Sequence, residues 1–309
     1  MLNRPHAGAQ ISFVIRADSR RFSVYSGAMK SILVPLKVND DGDSGLAAAL
    51  TVARRFDSYV EGLVVEPAFP VPVGDMIAAI PVDDTQFIED WRAKAQTARG
   101  RFDTAMKQAG IPAAQPAPPK KGSWAGWQET KGFEGAVVGE YGRLFDLIVI
   151  GQASEDNRGE VTETCEAALF ESGRPMLLAP RDPVKTLGDT VVISWNGSTE
   201  TARTIGLGMP FIDGAKTVFV LTVEGATVAG PTGEQVADYL SRRDVAASAV
   251  TAQPGERSAG EAILEEAAAL GADLLFKGAY THSRLRAMVF GGPTKHILSH
   301  ANLPVIMAH

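Results

Sequence analysis

Three segments of this chain occur twice in the same order, and any fold has to house both copies. Ser31-Ile32-Leu33-Val34-Pro35-Leu36 resembles Thr190-Val191-Val192-Ile193-Ser194-Trp195. Phe145-Asp146-Leu147-Ile148-Val149-Ile150-Gly151 matches Ala272-Asp273-Leu274-Leu275-Phe276-Lys277-Gly278, and residues 174–180 match residues 303–309. Each segment is a short apolar run bounded by glycine, proline or polar residues, the pattern of a strand buried on both faces. The first pair reads as first strands, and the other two as fourth and fifth strands.

Helical spacing fills the intervals. Leu46, Leu50 and Ala53 share a face with Ser44 as N-cap, and Ser198 precedes a helix carrying Ala202, Ile205 and Met209. Ser258-Ala259-Gly260-Glu261 has the capping-box pattern, followed by Ile263, Ala267 and Leu270 and then by Gly271 as a stop. Second strands fall near residues 63–65 and 220–223. The copies are unequal beyond them. The first holds a long helix over about 84–108, with Phe87, Trp91, Ala95, Ala98 and Phe102 on one stripe and Gly110 at its end. Prolines at 112, 116, 118 and 119 then exclude a regular central strand and predict an edge or an extended connection. Alternating strands and helices predict an α/β chain of two tandem open parallel sheets, Rossmann-like, with ligands at the carboxyl ends of the strands. The expected divisions are an extension outside the core at 1–28, a first domain at 29–183 and a second at 184–309.

The 309 residues carry a net charge of −6, which disfavours a broad nucleic-acid face, and no apolar run reaches the length of a membrane span. The single cysteine, Cys165, excludes an intrachain disulfide and points to a reducing compartment, the cytoplasm, with the thiol buried. Residues 1–28 hold Arg4, Arg16, Arg20 and Arg21, but the apolar run from Ile11 to Ile15 is too short for a secretory signal core. They read as an extension upstream of Met29.

The most specific chemistry lies in 272–309. A strand ends at Lys277-Gly278, a basic segment follows with His282, Arg284 and Arg286, and Gly291-Gly292-Pro293-Thr294 opens a helix. Backbone amides at a strand end and a helix N-terminus can surround an anion. This pattern resembles the universal stress protein family, whose motif is Gly-x-x-Gly, nine residues, then Gly-Ser/Thr. Gly278, Thr281, Gly291 and Gly292 occupy its four positions, with Thr281 standing for Gly and Gly292 for Ser/Thr. With the repeat, the resemblance covers nearly all of 29–309. It implies an adenine nucleotide alpha hydrolase-like fold. It also implies a site in which Asn196 ends the first strand beside the nucleotide, Val223 supplies backbone contacts to the base, and Gly278 to Thr294 hold ribose and phosphates. ATP or a related adenine nucleotide is the implied ligand. Magnesium lacks the usual carboxylate, because Asn196 can hydrogen-bond but brings no charge. The alternative for the glycine loop is an inherited strand-to-helix connection.

In the first copy the position thirteen beyond Gly151 is Thr164 rather than glycine, and Glu155, Asp156 and Glu160 would repel phosphate, so that copy reads as having lost the site. Ser154 there reads as a turn or cap residue. His296 and His300 could share a helix face, but no third metal ligand accompanies them. No Walker-A run, hydrolase elbow or carboxylate pair is evident, leaving ATP hydrolysis without a nucleophile or base. The expected function is a stress-response regulatory protein that binds an adenine nucleotide in its second domain; the alternative is a nucleotide-free interaction protein of the same fold. The resemblance also implies an internal pseudo-dimer, docked through residues 176–179 and 305–308, with a homodimer or a client protein as further partners.

Overall fold

A computed structural model describes residues 29–38, 43–68, 85–113, 121–152, 158–279 and 292–309. Five strands belong to the first half: β1 Ser31–Pro35, β2 Tyr59–Pro67, β3 Trp124–Gly132, β4 Leu147–Gly151 and β5 Met176–Ala179. Its helices are α1 Ser44–Phe56, α2 Thr85–Ala109, α3 Glu134–Tyr141 and α4 Arg158–Glu171. The second half holds β6 Thr190–Ser194, β7 Thr217–Val223, β8 Ala247–Ala252, β9 Leu274–Gly278 and β10 Val305–Ala308. Between them lie α5 Thr199–Leu207, α6 Met209–Asp213, α7 Gly233–Ser241, α8 Ala259–Ala269 and α9 Pro293–His300.

The ten strands among the described residues form one sheet in the order β3-β2-β1-β4-β5-β10-β9-β6-β7-β8. Each half is parallel and doubly wound, and the halves meet where β10 pairs antiparallel with β5, Ile306 opposite Leu177. That pairing follows from two apolar edges without alternation, each needing a partner for its ladder groups. The carboxyl ends of the two halves therefore lie at opposite edges of the sheet, and so do the crevices between β1 and β4 and between β6 and β9, where the strand order reverses.

Two apolar layers cover the sheet, one built on Ile32, Val34, Ile193, Phe276 and Ile306, the other on Leu33, Ile148, Leu178, Leu275 and Met307. A polar device recurs at the amino edge. Asp146 accepts the backbone N–H groups of Lys30 and Ser31 at 2.9 and 3.0 Å. Asp273 accepts those of Gly188, Asp189 and Thr190 at 3.1, 3.2 and 2.8 Å. The aspartate shared by the repeated segments thus ties each fourth strand to the start of the first. Arg55 of α1 links the halves a second time, donating to the carbonyls of Leu187 at 2.6 Å and Phe211 at 3.4 Å.

Several expectations are corrected. Ser44 is the first residue of α1 and not its cap; Asp43 holds the cap position without a side-chain bond. The helix after Ser198 breaks at Gly208, so Met209 belongs to α6, and Ala202 is exposed while Thr201 and Thr204 are buried. Phe87 is 44% exposed, so the buried stripe of α2 starts at Trp91. Ser258 caps α8 by accepting from Glu261 N, and Ser198 caps α5 by accepting from Thr201 N.

Candidate functional site

The crevice of the second half is assembled from the carboxyl ends of β6 and β9 and the N-termini of α5 and α9. Gly278 closes β9, and a β-carbon there would overlap the backbone N of Thr201 and the end of Glu200. Only glycine allows the strand end to approach the first turn of α5 so closely. The same approach recurs in the first half, where a β-carbon on Gly151 would meet Ser44 Oγ at 2.8 Å and Gly45 N at 3.1 Å. Both halves thus use the glycine to bring a strand end onto a helix N-terminus.

Asn196 follows β6, and its Oδ1 accepts from Thr201 Oγ1 at 2.8 Å and from Ser198 N at 3.3 Å. Its side chain is committed to organising the N-terminus of α5. Its carbonyl is engaged as well, accepting Val228 N at 2.8 Å, while Trp195 Nε1 donates to Pro231 O at 2.7 Å. The segment after β7 is thereby folded onto the end of β6. The next residue, Gly197, has φ +83°, and its carbonyl lies so close to Gly230 that a β-carbon on Gly230 would overlap it. Val223 is buried at the end of β7, with its carbonyl accepting Ala226 N at 3.3 Å.

At α9, Gly292 is the cap residue in extended conformation, φ −107° and ψ −179°, with no side-chain cap. A β-carbon there would meet nothing within 4 Å, so space does not demand glycine at this departure from the motif. Pro293 occupies the first helical turn and Thr294 is buried. Thr281 and Gly291, with His282, Arg284 and Arg286, lie outside the described residues, as does Ser154 in the first half.

Sequence reasoning overlooks Lys277. It stands one residue before Gly278 inside an apolar strand, 4% exposed, and its ammonium donates to the Gly278 carbonyl at 2.6 Å. Burial pushes the amine down to about 8, partly opposed by the charge of Glu200. Glu200, on the first turn of α5, is opposed by burial, but its own backbone N–H, the Thr199 and Ser198 donors and His309 hold its carboxyl below the usual range. One of its oxygens, Oε2, is buried with no hydrogen-bond partner among the described residues. A charged residue interrupting a strand run that is otherwise apolar was the available signal.

The first-half crevice is filled differently. Lys37, just beyond β1, pairs with Glu134 at 2.8 Å, and Thr164 Oγ1 donates to the other Glu134 oxygen at 2.9 Å. These groups, with Gly45, Arg101 and Gly151, leave a cavity of about 30 Å³, the space of a water molecule or two. Cys165, beside Thr164 on α4, is buried, and burial raises its thiol to about 12.

A groove of about 560 Å³ runs between the N-termini of α8 and α9, bordered by Ser258, Gly260, Gly292, Lys295 and His296. His296 and His300 stack at 4.3 Å between ring centroids, and His300 Nδ1 bonds to the His296 carbonyl at 3.0 Å. Among the described residues no group of three His, Cys, Asp or Glu could hold a metal, and no helix is long and apolar enough to cross a membrane.

A parallel, doubly wound sheet whose strand order reverses beside its first strand defines the Rossmann-like class. Within that class, residues 222–309 match the sequence model of the universal stress protein family, so the chain carries a universal stress protein domain in its second half. A universal stress protein from Archaeoglobus fulgidus DSM 4304 is similar in fold over 91% of this chain and 96% of its own, with TM-score 0.67 and 14% identity. A protein from Pseudomonas aeruginosa UCBPP-PA14, described as a candidate universal stress protein, is similar over 91% of this chain and 93% of its own, with TM-score 0.50 and 14% identity. At these identities the likeness establishes the fold. No curated protein matches the chain.

Proposed function

We propose that this chain is a cytoplasmic stress-response regulatory protein with domains at 29–183 and 184–309, the second of which binds an adenine nucleotide, ATP being the reference ligand. The observation that carries this reading is the asymmetry of the two crevices. In the first half the Lys37–Glu134–Thr164 cluster fills the space beside Gly151. At the place that Glu134 takes on α3, α8 begins with the small residues Ala259 and Gly260 after its Ser258 cap. Gly278 keeps its close approach to α5, and α9 opens on Gly292, which brings no side chain into the space beside its N-terminus. Magnesium has little to hold it at Asn196, whose oxygen already accepts two hydrogen bonds.

Isothermal titration of the full chain with ATP should give one site per chain. A stoichiometry near two, or exchange protection at Gly151 and not at Gly278, would transfer the site to the first half. A nucleotide-free interaction protein is the second reading, favoured by the fold of Val228 and Gly230 onto Asn196 and Gly197, where a base would approach. Absence of binding at millimolar ATP supports that reading instead.

A further inference from the structure

Lys277 lies on the sheet face that carries Leu275, two residues earlier in β9, because side chains alternate along a strand. That face is apolar: Leu275 belongs to the same buried cluster as Ile297 and Leu298 of α9 and Ala262 and Ile263 of α8. The strand neighbours in register with Lys277 are Ser194 of β6 and Met307 of β10, both uncharged. Glu200 of α5 is the charged group that acts on the ammonium, and His309, beyond β10, acts on Glu200 in turn. On α9, Lys295 is exposed and His296 packs on Gly260 of α8. Among the described residues the only acceptor for the Lys277 ammonium is the Gly278 carbonyl, and no carboxylate lies at ion-pair distance. An ammonium has three N–H donors, so two of them find no acceptor among the described residues.

A cation buried in this way is expensive, and such groups concentrate where a ligand supplies the missing charge. The place is specific, since the ammonium turns toward the carboxyl end of β9, where the strand end meets the N-terminus of α5. We propose that Lys277 is the cation that neutralises the phosphates of the ligand in the second-half crevice, so that this site holds its anion without a divalent metal. The proposal rests on the nucleotide reading and deepens it. Where a carboxylate at the end of the first strand would recruit a metal, this chain has the neutral Asn196 and places a fixed charge on the neighbouring strand. The ligand class is then a phosphorylated nucleoside whose phosphate oxygens accept from the ammonium in charge-assisted hydrogen bonds.

The test compares the wild-type chain with Lys277→Met, an unbranched apolar replacement suited to a buried strand. ATP affinity of the wild type should be the same in EDTA as in magnesium. Lys277→Met should weaken ATP by at least about tenfold, the loss of a charge-assisted contact, while adenosine binding is unchanged. As a second readout on the wild type alone, ATP binding near pH 8 should take up protons, because a bound phosphate stabilises the ammonium; titration in buffers of different ionisation enthalpy reads this. Equal ATP affinity in Lys277→Met, a strict magnesium requirement, or no proton uptake overturns the assignment. If the wild type binds no nucleotide, the functional reading fails separately, and pyrophosphate then decides this one. Thermal stabilisation of the wild type but not of Lys277→Met upholds an anion site at Lys277, and equal or absent stabilisation removes it.

Discussion

Lys277 brings one charge into an apolar layer, so its titration is written into the stability of the protein as well as into binding. Its amine is lowered by burial from the ordinary 10.5 to about 8. Between those values the unfolded chain holds more protons than the folded one, so the lysine's contribution to stability rises with pH across the interval. Below about pH 8 the folded protein bears the full penalty of a buried charge. Lys277→Met should therefore be more stable than the wild type at neutral pH, by a few kcal/mol at most, with the gap closing as pH approaches 10.5. Thermal unfolding of both proteins across this range checks it, and a gap that stays constant with pH would mean that the lysine binds its proton equally in the folded and unfolded chain, so that burial does not lower its amine. Asn196 shows the converse: its Oδ1 is spent within the fold on Ser198 and Thr201, so its position at the end of β6 does not by itself make it a ligand group.

At the scale of elements, the strand-end glycines and the strand-start aspartates explain why the repeated segments look alike. Gly278→Ala would force a β-carbon into backbone N of Thr201, which cannot rotate away, whereas Gly151→Ala meets the movable hydroxyl of Ser44 first. The former should cost about 1–3 kcal/mol and the latter less, since overpacking is relieved most easily by a side chain. Denaturant unfolding of the two variants measures the difference. Equal losses would mean that α5 shifts as readily as a serine rotates. Much of this level was legible from residues alone: the first, fourth and fifth strands of both halves, the helix start after Ser198, the Ser258 cap, and the length of α2 to within a residue or two at either end. The edge strands were not. β3 and β8 carry exposed polar or small residues, as in Trp124-Ala125-Gly126-Trp127-Gln128-Glu129, and half-exposed edges lack the continuous apolar signal of the central strands. The same limit hid the filling of the first crevice, since Lys37, Glu134 and Thr164 are far apart in sequence and meet only through the sheet order.

For the whole molecule, the decisive element is the seam between β5 and β10. It converts two open sheets, each with an apolar edge, into one sheet of ten strands whose remaining edges are β3 and β8. Ile306 is fully buried there, opposite Leu177 and in register with Phe276 of β9. Arg55 reinforces the seam from the α1 side, with its guanidinium 5.8 Å from the Phe211 ring centroid as well as bonded to the Leu187 and Phe211 carbonyls. Ile306→Lys would place an unpaired charge inside this layer, a change in the class that costs more than about 4 kcal/mol. The expected result is a lower unfolding temperature and an expanded chain by small-angle scattering, because the loss falls on the contact between halves. Arg55→Ala should act on the same seam more weakly, by about 1.5–3 kcal/mol for its charge-assisted bonds. Retained compactness and unchanged unfolding in Ile306→Lys would show that the halves are held by something other than the β5–β10 ladder, and the internal pairing would then have to be abandoned as the organising contact of the molecule.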